Sequence, residues 1–165
     1  MCCYFNIPKI QKSDKDITVY KLVYKSKNAQ LYAPFRRTRY NLSDSLYSKL
    51  GRPHKVDIYT DANPDKPFRC FEVSQGLHSF KSKGEAIKWM NENFMLSSEH
   101  QIIKATIPKG AMYYEGFWHY DGKKLKTKTI VSDKLILHPE KVVMDRTIKH
   151  FEVKTRLWTF DSSNI

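Results

Sequence analysis

Residues 101–116 read Gln101-Ile-Ile-Lys-Ala-Thr-Ile-Pro-Lys-Gly-Ala-Met-Tyr-Tyr-Glu-Gly116, two short apolar runs separated by a turn. The first run, residues 102–107, is rich in β-branched side chains, which favour a strand. Proline at 108 fixes φ and glycine at 110 allows a positive φ, so the chain can reverse between the runs. The stretch therefore predicts two neighbouring strands at the centre of a sheet.

Short strands are also predicted on both sides of this pair, because β-branched and aromatic residues recur between turn-forming segments. Residues 61–67, Asp-Ala-Asn-Pro-Asp-Lys-Pro, have the composition of a loop. The predicted strands are residues 17–24, 30–35, 55–60, 68–73, 102–107, 112–115, 135–137, 142–144, 148–153 and 156–160.

Two helices are predicted. Residues 41–51 form the first, with Ser43 as N-cap and Gly51 as C-cap. The second begins at Ser82-Lys-Gly-Glu85, a capping box in which the serine hydroxyl and the glutamate carboxylate accept hydrogen bonds from each other's backbone N–H. Its apolar side chains recur at helical spacing and are expected to pack on the sheet at residues 102–105. They are Ala86, Ile87, Met90 and Phe94.

Many strands, few helices and no alternation of strand with helix predict an α+β fold. We expect one domain over residues 1–165, with a largely antiparallel sheet and two short helices packed on it. Residues 1–16 are expected to be an irregular lead-in. No run approaches the ~20 apolar residues that a membrane span needs. The first residues also lack the basic flank and apolar core of a signal peptide.

Charge is the strongest compositional feature. The formal net charge is +12, and residues 1–50 and 101–150 each hold ten Lys and Arg, against three and five acids. Residues 51–100 are balanced at seven and seven. Clustered positive charge favours an anionic partner, such as a nucleic acid, a nucleotide or an acidic protein. The alternative is a generally basic protein whose lysines are only solvated.

A candidate anion-binding surface follows from the dipeptide Asp121-Gly122, which favours a two-residue hairpin turn. Such a turn places Phe117 opposite Lys126 and gathers aromatic and basic side chains on one face, where rings could stack on bases and lysines neutralise phosphates. Lysines also protect exposed sheet edges, which is the alternative explanation. The residues of this face are Phe117, His119, Lys124, Lys126 and Lys128, and a second basic cluster holds Arg36, Arg37 and Arg39.

Evidence for metal or disulfide chemistry is weak. The six histidines include no close-spaced pair of ligands, and no Cys-x-x-Cys occurs. Three cysteines do not make a disulfide framework and favour a reducing, cytoplasmic setting. Cys70 lies in an apolar strand and is expected to be a packed residue. No metal and no cofactor are expected if the protein is a binding protein.

Several segments resemble known proteins. They are Gly76-Leu-His-Ser-Phe80, the following helix with Glu85, Ala86 and Met90, residues 102–111 (Ile-Ile-Lys-Ala-Thr-Ile-Pro-Lys-Gly-Ala) and residues 130–137 (Ile-Val-Ser-Asp-Lys-Leu-Ile-Leu). In this order they look like small uncharacterised proteins of phages and bacteria. Over residues 76–137 they also resemble the later half of the ADP-ribosyltransferase-like fold.

This resemblance implies a set of catalytic residues. His78 and Ser79 would take the place of the family's Ser-Thr-Ser strand end, and Asp133 that of its catalytic glutamate. Tyr20 would stand where the family places a residue that helps to hold NAD. Two functions are thus open. One is a non-enzymatic protein for an anionic partner, for which a phage- or defence-related inhibitor would fit, and the other is an NAD-dependent ADP-ribosyltransferase-like enzyme, active or degenerate.

Overall fold

The structure, a computed structural model, describes residues 3–5, 7–33, 39–41, 45–60, 63–92, 99–118 and 127–145. Of these residues, 62% lie in strands and 8% in one helix. The predicted α+β class with two helices is therefore wrong. The described part of the chain is dominated by antiparallel sheet and carries a single helix.

The described residues form twelve strands and one helix. They are β1 (Cys3–Phe5), β2 (Ile10–Lys12), β3 (Ile17–Lys25), β4 (Leu31–Tyr32), β5 (Leu46–Tyr47), β6 (His54–Thr60), β7 (Asn63–Val73), β8 (Leu77–Phe80), α1 (Lys83–Glu92), β9 (His100–Ile107), β10 (Met112–Trp118), β11 (Thr127–Ser132) and β12 (Lys134–Asp145).

These strands form one connected sheet. Its order is β5-β12-β9-β3-β8-β11-β10-β1-β7-β6, with β2 paired to β10 and β4 to β3. Strands β3 and β9 are neighbours in this order and run in antiparallel register from Ile17 opposite Ile107 to Tyr24 opposite His100. The predicted strands at residues 17–24 and 102–107 are confirmed, but the prediction that the strands on either side of Pro108 are neighbours is wrong, because β3, β8 and β11 lie between β9 and β10.

Each face of the central sheet carries a core cluster. On the helix face, Leu22, Phe80 and Ile102 pack against Trp89 and Met90 of α1. On the opposite face, the buried side chains include Val19, Ala105, Ile107, Ile130 and Leu135. Strands buried on both faces need apolar residues on both, which explains why apolar side chains occur at odd and even positions of β3 and β9.

The predicted packing of α1 is confirmed where the structure describes it. Met90 is fully buried, Ile87 is partly buried, and both contact the cluster that contains Ile102. Phe94 lies outside the described residues. Trp89 is a further core residue, and its ring meets Phe80 and Trp118 at centroid distances of 5.5 Å each.

The capping box of α1 is formed on the serine side. The backbone N–H of Glu85 donates to Ser82 Oγ at 3.2 Å. A Glu85 carboxylate oxygen accepts from the backbone N–H of Lys128 on β11, also at 3.2 Å. Glu85 thus ties the first turn of the helix to the sheet.

Ser82→Ala is expected to lower the free energy of unfolding by about 1 kcal/mol, because one N–H of the first turn loses its acceptor. Urea denaturation would measure the change. Ser82→Asp, which restores an acceptor at the N-cap, should recover most of the loss. An alanine variant as stable as the parent would show that the cap contributes nothing.

The predicted helix at residues 41–51 is wrong. Within it, Leu46 and Tyr47 form β5, opposite Leu135 and Lys134 of β12. The backbone N–H of Ser48 donates to the carbonyl oxygen of Asp133 at 2.9 Å. Serine, asparagine and aspartate in this segment are poor helix formers, so pairing and the packing of Leu46 on the core prevail over weak capping signals.

The predicted lead-in and loop also contain strands. Within residues 1–16, β1 pairs with β7 and β10, and β2 pairs with β10. Strand β7 begins at Asn63, inside the segment predicted as a loop, and therefore contains Pro64 and Pro67. In the described residues, β7 pairs with β1 only at residues 71–73, so the prolines lie where one side of the strand has no ladder partner. Proline is tolerated at such edges and at the register shift seen near Thr60.

Some predictions concern residues that the structure does not describe. The Asp121-Gly122 turn and the strands predicted at residues 148–153 and 156–160 lie outside the described residues. Residues 135–137 and 142–144 belong to one strand, β12, whose register against β9 shifts twice. Among the described helical residues, no segment is long and apolar enough to span a bilayer.

Candidate functional site

Phe117 and Lys128 lie directly opposite each other on β10 and β11. The prediction that Phe117 faces Lys126 is therefore wrong by two residues. The predicted register assumed an unbroken ladder leading to a two-residue turn at Asp121-Gly122, which lies outside the described residues. Because an even shift keeps side chains on the same face, Phe117 and Lys128 still share one face, as predicted.

The pair belongs to a longer row across four strands. Phe117 is also opposite Tyr4 of β1. On the other side, the backbone N–H of Lys81 donates to the Lys128 carbonyl at 3.3 Å, which continues the β8–β11 ladder and places Lys81 beside Lys128. We call Lys81, Lys128, Phe117 and Tyr4 the lysine–aromatic row. Both lysines are exposed, and both rings are half-buried.

The charges of the row are unequal. Lys81 Nζ lies 2.6 Å from a carboxylate oxygen of Glu115, which is on the same face as Phe117 and two residues before it. For Lys128, no carboxylate lies within 4.0 Å of its ammonium among the described residues. Lys128 is thus the cation best placed to meet an anion, while Glu115 neutralises Lys81 and would repel the same anion.

Arg39 lies elsewhere. It forms a bridge opposite Tyr32, which in turn is opposite Tyr24, and Tyr24 is opposite His100. The ring centroid of Tyr24 lies 6.1 Å from that of Tyr32 and 5.7 Å from that of His100. Tyr24 and Tyr20 lie on the same face of β3, and Tyr20 is the cross-strand partner of Phe80. Phe80 is in turn the partner of Thr129, the residue after Lys128. Successive residues alternate between faces, so this row lies on the other face of the sheet from Phe117 and Lys128.

Among the described members of the two predicted clusters, Arg39 therefore lies on the other sheet face from Phe117 and Lys128. Five predicted residues cannot be placed: Arg36, Arg37, His119, Lys124 and Lys126 lie outside the described residues. The sequence analysis missed Lys81, Tyr4, Tyr24, Tyr32 and His100. Alternation along β3 could have paired Tyr20 with Tyr24, but the neighbours across strands follow from the strand order, which no local pattern reveals.

His78 is held as a structural residue. Its Nδ1 lies 3.2 Å from the Gly76 carbonyl oxygen and its Nε2 3.1 Å from that of Val73, so the ring fastens the turn between β7 and β8. Burial, reinforced by the nearby Lys21 charge, lowers the pKa of His78 to about 3, against the opposing effect of the two carbonyls. A ring neutral at pH 7 donates to only one of these carbonyl oxygens, and burial keeps both nitrogens away from solvent, which fits a structural role.

Of the other proposed catalytic residues, Tyr20 shares a sheet face with His78, whereas Ser79 does not. Ser79 is fully buried, donates to the Ile130 carbonyl at 3.4 Å and, as the next residue on β8, points to the opposite face. Asp133 Oδ1 accepts from the backbone N–H of Met112 at 2.9 Å. Tyr20 is opposite Phe80, on the face covered by α1. Because Ser79 lies on the other sheet face from His78 and Tyr20, these side chains do not all converge on one face, and the transferase function stays a prediction.

Lys21 is a further buried polar residue, and its ammonium donates to the carbonyl oxygen of His78. Burial lowers the pKa of Lys21 to about 8. Cys3 and Cys70 are buried, and burial together with Glu72 and Asp57 raises the pKa of Cys70, which disfavours a reactive thiolate. No cluster of three His, Cys, Asp or Glu suited to a metal ion occurs in the described part of the chain.

Comparisons of the chain with models of protein families, with curated proteins and with solved structures find no match. The candidate site is therefore interpreted from its own residues.

Proposed function

We propose that the protein binds single-stranded nucleic acid, with the lysine–aromatic row as part of its contact surface. The observation that supports this most directly is the cross-strand pair of Phe117 with the exposed Lys128. A ring can stack on a base while an adjacent cation neutralises the phosphate, which is how proteins bind single strands without sequence preference. The net charge of +12 adds a long-range attraction for the polyanion.

Stacking and charge neutralisation are binding interactions, so this proposed function needs no catalytic group and no cofactor. Three cysteines do not make a disulfide framework and fit a reducing cytoplasm, where a nucleic acid is available as partner. An acidic protein would use the same lysines but would gain less from an aromatic ring. The ring beside the cation is the reason to prefer a nucleic acid.

Phe117→Ala is expected to weaken binding of a fluorescent single-stranded oligonucleotide by roughly 1–3 kcal/mol at every salt concentration, because a stacked base loses its platform. Lys128→Gln should instead reduce the slope of log affinity against log salt by about 0.7. Glu115→Gln should strengthen binding, since it removes a carboxylate and frees Lys81. Fluorescence anisotropy over a salt series measures all three.

Lys109→Gln is the matched control, because Lys109 is exposed but precedes β10, whereas Phe117 is near its end. Equal effects of Lys128→Gln and Lys109→Gln would mean that binding depends on net charge alone. No binding of the oligonucleotide at low salt would refute the proposed function. Binding of polyglutamate that is as tight as that of the oligonucleotide, and is unaffected by Phe117→Ala, would favour an acidic protein instead.

A further inference from the structure

Strand β6 ends the order of the sheet, and its ladder partner within the described residues is β7. It is seven residues long, and its described side chains are exposed or half-buried on both faces. Tyr59, for example, is 61% exposed. An edge strand of this length offers a row of backbone N–H and C=O groups to another strand.

We propose that β6 pairs antiparallel with β6 of a second copy of this chain, centred on Val56. The observation that identifies a second copy as the partner is a self-complementary charge pattern, Lys55-Val-Asp57. With Val56 opposite Val56, each Lys55 lies opposite Asp57 of the other copy, which makes two cross-strand ion pairs. Opposite charges in such positions stabilise a sheet, whereas like charges destabilise it.

Geometry restricts the possible registers. Two antiparallel strands related by a twofold axis perpendicular to the sheet keep the same faces, so opposite residues must have the same parity. The axis must therefore pass midway between the two copies of a single residue, which lie opposite each other. An axis at Val56 gives the two ion pairs, while an axis at Asp57 places two carboxylates opposite each other. Pro53, which has no N–H to donate, precedes β6 and limits the Val56-centred pairing to residues 54–58.

The charges of Lys55 and Asp57 also explain why the β6 edge would pair with β6 of a second copy rather than with another strand. Lysine in an edge strand discourages pairing with neutral strands, because its ammonium would lose water without compensation. A strand that presents a carboxylate at that position removes this cost. Asp57 is already oriented by Arg69 on β7, whose Nε lies 3.4 Å from Asp57 Oδ1. The carboxylate thus lies on the sheet face from which Lys55 of the second copy would approach.

Charge reversal tests the proposal, with sedimentation equilibrium of the full chain in the absence of nucleic acid. Lys55→Asp and Asp57→Lys should each weaken dimerisation about tenfold or more, because each creates two like-charge contacts. The double variant, Lys55→Asp with Asp57→Lys, should restore it. Mixing the two single variants should give heterodimers, since Lys55→Asp then faces Asp57→Lys across the axis.

Two controls keep the test independent of folding and of the proposed function. Circular dichroism of each variant shows that it is folded, and Lys66→Asp reverses an exposed lysine outside β6 and should leave dimerisation unchanged. A chain that stays monomeric at high concentration would overturn the proposal. So would a dimer that is unaffected by either reversal, or a double variant that fails to recover, since a register centred on Asp57 predicts no recovery.

Discussion

Trp89→Ala is expected to lower the free energy of unfolding by about 3–5 kcal/mol, the usual cost of removing a large aromatic ring from a core. Trp89 is 2% exposed and lies between the rings of Phe80 and Trp118. Its loss leaves a cavity between α1 and the helix face of the sheet. That face is covered by a single helix in the described residues, so no second element is seen there to fill the space.

Urea denaturation, with the slope checked for two-state behaviour, would measure this loss. Tyr59→Ala removes an aromatic ring that is 61% exposed and should cost well under half as much. A Trp89→Ala variant that is as stable as Tyr59→Ala would mean that α1 does not pack on the sheet as described. In Trp89→Phe the cavity is smaller, so its stability should fall between those of the parent and the alanine variant.

The parts of the fold that could be predicted are those with local signals. Runs rich in β-branched and other apolar residues identified β3 and β9, and the Ser82 cap with apolar residues at helical spacing identified α1. Each of these segments also packs according to its own pattern. Local preference and tertiary packing agree there, so the sequence alone was sufficient.

The secondary-structure predictions were wrong where the conformation depends on residues far away in the sequence. Leu46 lies in a segment with weak helix signals, and its pairing with Leu135 across the chain makes it a strand. Cys3 and Phe5 precede any clear strand signal but fill the space beside Tyr114 and Val131. Local propensity is a weak prior, and burial of a few apolar side chains in an existing sheet outweighs it.

The candidate site was predictable in part for the same reason. Alternation placed Phe117 and Lys128 on one face, and an even shift in register preserved that result. Lys81 joined them only through the order β8-β11-β10, in which distant segments become neighbours. Arg39 was separated from them by the register of the strands, which puts its row on the other face. Strand order is set by the whole core, so a surface built across several strands cannot be read from any one of them.

Lys21→Met is expected to remove a pH dependence of stability between about pH 8 and 10.5. Lys21 lies on β3 in the sheet interior, where the His78 carbonyl accepts from its ammonium. Burial lowers its pKa from 10.5 to about 8. A buried ammonium loses hydration that one hydrogen bond does not replace, which is why the folded state holds the proton less tightly than the unfolded state.

The sign of the effect follows from this difference. Below pH 8 both states carry the proton, and the full cost of the buried charge is present. Above pH 8 the folded state releases the proton while the unfolded state keeps it up to about 10.5, so the free energy of unfolding rises with pH. At 1.36 kcal/mol for each unit of pKa difference, the rise due to Lys21 amounts to about 3 kcal/mol.

The stability of the parent relative to Lys21→Met should therefore increase by about 3 kcal/mol from pH 8 to pH 10.5 in urea denaturation. Taking this difference cancels the titration of tyrosines and cysteines common to both proteins. Lys25→Met, which changes an exposed lysine at the end of the same strand, should show no such divergence. In Lys21→Met the pKa of His78 should also rise, because a positive charge that lowers it is gone, and NMR titration would detect this. Parallel pH profiles for the parent and Lys21→Met, with an unchanged His78, would mean that Lys21 keeps its ammonium in water.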